Sequence, residues 1–351
     1  MSRELFCVGG LVVSEADPAG GLDRHVAAVH EFDTAMQRER LSGDPPLPLE
    51  LTRSFLANIP SFLLTRQYLA RDVEGRVVAA ATLNVERTDS NQHVCNLEIG
   101  VLPEHRRKGV AKALLSLVAG AAKEEKRSLI LGATAGSLPS GESFARRIGA
   151  RSGLRRTTHR LRMANADRNL ARVWQEKGAA RAEFRLERID GRYPEVLIDE
   201  IIRLQHVVNA EPRGELEVED QILSTSRARE VEEIWLGARG ERWGFFVREG
   251  TSGRFVGWTE VVWYPSLPQI AFSIGTGVLG DFRDRGLGKW LRGALIDWLA
   301  DQRPEVEEIR MDIADSNTGM RSISKRLGFE PLIDWNLWQA SLVDVRRYLA
   351  S

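Results

Sequence analysis

Apolar and polar positions in the first half of the chain follow a fixed order of helical and strand periods. Val26, Val29, Phe32 and Met36 recur at helical spacing within 23–40, Gly43-Asp44-Pro45-Pro46 breaks the pattern, and a second short helix is expected over 49–59. Strands are expected over 67–71, 77–86 and 93–102, with a turn at Glu74-Gly75 and a stop at Pro103. From Gly109 onward, Val110, Ala113, Leu114, Leu117, Val118 and Ala121 predict one apolar helical face. A strand over 128–133, a helix over 143–148 and a strand over 157–163 complete the half.

The second half repeats this order. Helices are expected over 194–206 and 217–223, and strands over 243–247, 254–263 and 269–279. A helix then presents Leu287, Trp290, Leu291, Ala294, Leu295 and Trp298 on one face, followed by strand 309–314, helix 318–326 and a strand-like stretch over 331–338. Both halves therefore read as α+β. A polar stretch between them predicts domains over 1–165 and 182–351, joined by a linker over 166–181.

Where the third strand of each half enters its helix, the sequence itself repeats. Residues 100–112 read G-V-L-P-E-H-R-R-K-G-V-A-K and residues 277–289 read G-V-L-G-D-F-R-D-R-G-L-G-K. Gly286 and Gly288 let backbone turn closely into the helix, and the first helical turn leaves N–H groups without internal partners. Such a turn suits a diphosphate, with Arg283, Arg285 and Lys289 available to add charge. In the first copy Ala111 replaces the second glycine. There is no G-x-x-x-x-G-K-S/T, and no G-x-G-x-x-G that opens a βαβ unit with a ribose-binding acid downstream, so neither a P-loop nor a dinucleotide fold is indicated.

Composition narrows the function. With 49 basic and 49 acidic residues the formal net charge is zero, which argues against nucleic-acid binding through a broad positive field. Cys7 and Cys95 form no C-x-x-C pair, no apolar run approaches a membrane span, and the start carries no secretory pattern, so a soluble, cytoplasmic protein is expected. No His/carboxylate cluster has metal-site spacing, so no metal is expected.

Arg106-x-x-Gly109-x-Ala111 and Arg283-x-x-Gly286-x-Gly288 resemble the acetyl-CoA motif of the GCN5-related N-acetyltransferase (GNAT) superfamily. Asn317-Thr318-Gly319-Met320 and Lys325-Arg326-Leu327-Gly328-Phe329 are similar to the family's late helix, with an echo in Arg146–Ala150. Two-domain actinobacterial acetyltransferases are the architectural analogy. The resemblance implies two tandem GNAT domains, each a mixed, mostly antiparallel sheet flanked by helices, with acetyl-CoA as cofactor. It implies that backbone near Val101, Leu102, Val278 and Leu279 meets the pantetheine arm and thioester. It also implies that the amides of Arg107, Lys108, Gly109, Val110 and Ala111, and of Asp284, Arg285, Gly286, Leu287 and Gly288, hold the pyrophosphate. Asn317 resembles the asparagine that orients the cofactor arm, and Ser324 stands where many members carry the tyrosine that protonates the leaving thiolate.

Direct transfer to an amine requires mainly positioning, with a backbone N–H near Leu279 polarising the thioester carbonyl. Glu98 and Glu260 are the candidate bases, with His206 a third, whereas Cys95 lacks a His partner and reads as a core thiol. Trp258 and Trp263 fall on opposite faces of a regular strand, and either one lining an acceptor pocket competes with plain core packing. The expected function is acetyl transfer from acetyl-CoA to a small-molecule amine, with the C-terminal domain, which has the full Gly-x-Gly turn and Asn317, as the catalytic one. The alternatives are a non-catalytic CoA-binding or sensor protein and a protein or peptide N-acetyltransferase. Whether the chain is a monomer or a homodimer is not readable.

Overall fold

A computed structural model describes residues 3–16 and 22–351. In chain order the elements are β1 (Arg3–Val8), β2 (Leu11–Glu15), α1 (Leu22–Arg40), α2 (Leu49–Ala57), β3 (Leu63–Arg71), β4 (Val77–Glu86), β5 (Val94–Val101), α3 (Val110–Glu124), β6 (Leu129–Ala135), α4 (Pro139–Arg147) and β7 (Arg151–Arg162). Then follow α5 (Arg168–Ala179), β8 (Phe184–Asp190), α6 (Ile198–Gln205), α7 (Thr225–Leu236), β9 (Glu241–Glu249), β10 (Phe255–Trp263), β11 (Ile270–Val278), α8 (Leu287–Gln302), β12 (Glu308–Ala314), α9 (Thr318–Leu327), β13 (Glu330–Ser341) and α10 (Leu342–Ala350).

The N-terminal unit comprises Met1–Arg155, Arg213–Asp220 and Ile333–Ser351, and the C-terminal unit Arg156–Pro212 and Gln221–Leu332. The N-terminal sheet runs β1-β2-β3-β4-β5-β6-β13 and the C-terminal one β8-β9-β10-β11-β12-β7. Each is antiparallel except for one parallel pair, β5 with β6 and β11 with β12. Each unit is thus a mixed, mostly antiparallel α+β fold.

These units depart from a linear division of the chain. Trp335–Ser341 of β13 pairs with Ala135–Leu129 of β6, and Arg156–Arg162 of β7 pairs with Ala314–Glu308 of β12. Residues 156–162, expected in the first domain, therefore complete the second sheet, and 335–341 complete the first. Leu342 and Val345 of α10 enter the N-terminal core beside Leu114 and Val118.

Three further differences have local causes. The β1–β2 hairpin, absent from the expected elements, turns at Gly9-Gly10, both at positive φ (55° and 77°). The expected linker over 166–181 is largely helix α5, whose N-terminus is capped by Asp167 accepting from Leu170 N–H at 2.8 Å. Its Ala171, Trp174 and Gly178 are buried, and a Cβ on Gly178 would lie 2.1 Å from the Trp290 ring of α8. Residues 217–223 are not helical. Glu217 N–H goes to Gln339 Oε1 at 2.8 Å, and the Glu219 carboxylate accepts Asn91 N–H at 2.7 Å, so these groups are committed outside any helix. The helix begins instead at Thr225, behind the Ser224 cap.

Candidate active site

Both repeated turns have the same backbone. Arg107 and Gly109 in one copy have φ of 63° and 80°, and Asp284 and Gly286 in the other have 60° and 75°. A non-glycine residue held in the left-handed region at the same place in two turns marks a conformation the surroundings enforce. Gly109 and Gly286 are the N-cap residues of α3 and α8, and neither helix has a side-chain cap. The first intrahelical bonds are Ala113 N–H to Gly109 O at 3.0 Å and Trp290 N–H to Gly286 O at 3.1 Å. The N–H groups of Val110, Ala111 and Lys112, and of Leu287, Gly288 and Lys289, therefore have no carbonyl within their helices. By contrast, α5, α7, α9 and α10 are closed by Asp167, Ser224, Asn317 and Ser341 side chains.

The two turns differ in what surrounds them. At α8 a pocket of about 220 Å³ is lined by Trp174, Gly286, Leu287 and the cations Lys177, Arg181, Arg285, Lys289 and Arg326, with no carboxylate in the lining. Among the described residues none of those five cations is ion-paired. Arg283 directs Nε to Val278 O at 3.3 Å and is exposed. At α3, Arg106 is drawn into a bidentate pair with Glu39 and donates from Nε to Val101 O at 2.9 Å, so its charge is already neutralised. The Gly9 turn also closes over Lys108, where a Cβ on Gly9 would come within 3.1 Å of its carbonyl. Five unpaired cations around open amides make the α8 turn the stronger anion seat.

A gap opens beside each turn. β11 and β12 pair at Ile270–Phe272 with Glu308–Arg310 and then separate, as β5 and β6 do beyond Asn96 and Leu131. Leu279 N–H donates to Val256 O at 2.9 Å, and Leu102 N–H to Val78 O at 2.9 Å. The expected donor at Leu279 is thus committed to the sheet. By strand alternation Val278 and Val101 direct their N–H groups the other way, into the gaps. In β11 the register passes from Glu260↔Gly275 to Val261↔Ser273, so Ile274 is an extra, bulged residue. The bulge turns Ser273 to the α8 side and leaves Gly275 and Gly277 under the Trp258 ring.

The remaining candidate residues separate into engaged and open groups. Glu260, expected as a base, is 1% exposed, and its carboxylate accepts from Arg242 at 2.7 Å, Tyr193 at 2.9 Å and Gln205 at 2.9 Å. Burial raises its pKa, against the opposing pull of Arg242 and the two other donors. No lone pair faces an acceptor, so it reads as a core charge. His206 Nε2 takes Leu223 N–H at 3.3 Å. Trp258 is 2% exposed and Trp263 stacks on Trp243 at 5.8 Å, so both belong to the core. Cys95 is buried, which pushes its thiol up to about 12. Ser324 is also buried and donates to Met311 Sδ at 3.6 Å.

Asn317 Oδ1 accepts Met320 N–H at 3.2 Å and so caps α9. Asn317→Ala should therefore cost about 1 kcal/mol of stability through the lost cap. Asn317→Asp keeps the cap and removes the amide donors. A drop in cofactor affinity in Asn317→Asp, with an unchanged melting temperature, would assign the amide to the cofactor arm.

Glu98 on β5 is exposed, and Asp33 on α1 lies close enough to feel its charge. Phe32 and Met36 pack over Gly100, two residues along β5 on the same face as Glu98. Asp33 is open to solvent yet recessed: its pKa is raised to about 6, first by burial and then by Glu98, against the pull of Arg40. Nothing in the periodicity singled it out, because it stands beside a core phenylalanine. Since its folded pKa exceeds the unfolded value, its contribution is full below about pH 4 and lost as pH rises through 6. Asp33→Asn should accordingly raise the melting temperature at pH 7 and leave it unchanged at pH 4. A parallel shift at both pH values would remove the carboxylate pair.

The family model described as "Acetyltransferase (GNAT) family" matches residues 30–149, and "Acetyltransferase (GNAT) domain" matches residues 203–330. The chain is a tandem member of the GNAT acetyltransferase family. Among solved structures, a tandem GNAT protein from the clavulanic acid biosynthesis pathway, without AcCoA, matches at TM-score 0.76 and 21% identity, over 95% of this chain and 98% of that one. A GCN5-related N-acetyltransferase from Sphaerobacter thermophilus matches at 0.67 and 13%, over 95% and 96%. The GCN5-related glucosamine N-acetyltransferase region of a fungal multi-domain GH3 β-N-acetylglucosaminidase matches at 0.65 and 14%, over 96% of this chain and 38% of that one. At these identities the likeness is one of fold. No curated protein matches the chain. GNAT membership supports acyl transfer in general terms. Among the described residues no helix is long and apolar enough to cross a membrane, and no group of His, Cys, Asp or Glu could hold a metal.

Proposed function

We propose that the protein is an N-acyltransferase that moves the acyl group of a CoA thioester, acetyl-CoA in the simplest case, directly to the amine of a small molecule. The C-terminal unit is the one that holds the thioester. The observation that carries this reading is the pocket of five unpaired cations at the uncapped start of α8. A bound thioester supplies an acyl carbon open to attack by an amine. The chain's own part is placement: the amides of Leu287 and Gly288, with Arg181, Arg285 and Lys289, suit a diphosphate. The N–H of Val278 suits an amide carbonyl of the arm.

Binding without turnover is the second reading. It is favoured by Ser324 standing where many family members carry a tyrosine, and by Glu260 being fully engaged. Calorimetry with acetyl-CoA, followed by a thiol assay across a panel of primary amines, separates the two. Uptake with amine-dependent release of free CoA supports transfer. Uptake alone supports a sensor, and no uptake of CoA or its esters sinks both.

A further inference from the structure

Arg292 of α8 is fully buried, at 0% exposed, and among the described residues no carboxylate pairs with it. Its guanidinium donates to Ser273 Oγ at 3.2 Å and Met311 Sδ at 3.2 Å and lies 5.1 Å from the centre of the Phe329 ring. Its Nε has no partner. A hydroxyl, a thioether and a ring face are weak compensation for a buried positive charge, which costs several kcal/mol unless an anion meets it. Burial lowers its pKa to about 10, so it stays charged at neutral pH.

Its position narrows what that anion is. The last paired residues of β11 and β12 are Phe272 and Arg310, so Ser273 and Met311 are the first residues beyond the point where the strands part. Arg292 bonds to both and thus sits at the closed end of the gap. Buried Ser324, against Met311, lies at the same end. The open end lies at Val278, 4.0 Å from where a Cβ on Gly288 would stand, in the first turn of α8, whose Gly286, Leu287 and Lys289 line the cationic pocket. A thioester seated by its diphosphate in that pocket, with its arm along the gap, directs its acyl group toward Arg292. In the N-terminal unit the corresponding α3 residue, six beyond the turn glycine, is Leu115, which is buried in an apolar core.

Resting on the reading that the C-terminal unit seats a CoA thioester, we infer that its acyl group carries a terminal carboxylate, of malonyl or succinyl type, that pairs with Arg292. In the transfer the amine nitrogen bonds to the thioester carbon and the C–S bond breaks with its electrons on sulfur. The amine's proton passes to the CoA thiolate through solvent, and the distal carboxylate is unchanged. Arg292 is then the residue that sets donor specificity.

The test is calorimetry of the full chain with acetyl-, butyryl-, malonyl- and succinyl-CoA, reading the component of binding that Gly286→Glu removes. The expected result is at least about tenfold tighter binding of one carboxyacyl ester than of both neutral esters. Arg292→Leu, which installs the N-terminal unit's residue, should erase that preference while still binding acetyl-CoA. Arg292→Lys should keep part of it. Arg292→Leu should melt no lower than the parent, because it removes an unpaired buried charge. Equal affinities for all four esters, or a preference that survives Arg292→Leu, overturn the inference and leave CoA binding standing. Failure of every ester to bind removes it together with the transferase reading.

Discussion

Gly286→Glu is expected to weaken acetyl-CoA binding by the C-terminal unit about 100-fold or more, and to abolish turnover there. Three effects act together. At φ 75° the position disfavours any side chain, at a cost of about 1–2 kcal/mol. A Cβ there would lie 3.6 Å from an Arg181 guanidinium nitrogen, so the new carboxylate neutralises the cation nearest the open amides. It also occupies the place of the anion those amides would meet. Losing two charge-assisted hydrogen bonds at about 1.5–3 kcal/mol each accounts for the 100-fold figure. Gly286→Ala is the control: it carries the same backbone strain without the carboxylate, and should lose stability but little affinity. Gly109→Glu should have the smaller effect, since Arg106 at that turn is already paired with Glu39. Calorimetry on the three variants decides it. Equal loss from Gly109→Glu and Gly286→Glu would contradict the asymmetry.

The repeated turn was legible because its chemistry is local. A glycine that must hold positive φ, an arginine and an apolar helical face lie within a dozen residues. The exchange of closing strands was not legible. The alternation in 331–338 predicts a strand but carries nothing about its partner, and β6, which it joins, lies about two hundred residues earlier. The expected linker was misread for a related reason. Arg168, Arg172 and Gln175 make the stretch look polar, yet they reach Asp297 and Asp301 on α8, while Ala171, Trp174 and Gly178 form the buried side. Leu279 and Glu260 were chosen for residue type and place on a strand. Their hydrogen-bond commitments, Val256 O for one and Arg242 for the other, exist only in the folded sheet. Asp33 and Arg292 were both missed, because the neighbouring Glu98 of the one and the burial of the other are brought about by the fold.

Glu260→Gln is expected to destabilise the C-terminal unit by about 3–5 kcal/mol, because it leaves a buried guanidinium short of its main counter-charge. Arg242 is 0% exposed, and its remaining carboxylate partner, Glu232, lies farther off at 3.6 Å. Glu232 is itself shared with Arg229 at 2.6 Å and with Tyr193 N–H at 2.6 Å. In a unit of this size such a loss lowers the melting temperature by roughly 10 °C. Arg242→Met combined with Glu260→Leu removes both charges and should recover most of it, so the two changes are strongly non-additive. A general base behaves otherwise: Glu260→Gln would keep the parent's melting temperature and lose turnover, and the double variant would regain nothing. Calorimetric melts of the two single variants and the pair therefore distinguish a charge that holds the core from one that takes a proton. The contacts to Arg242, Tyr193 and Gln205 favour the first.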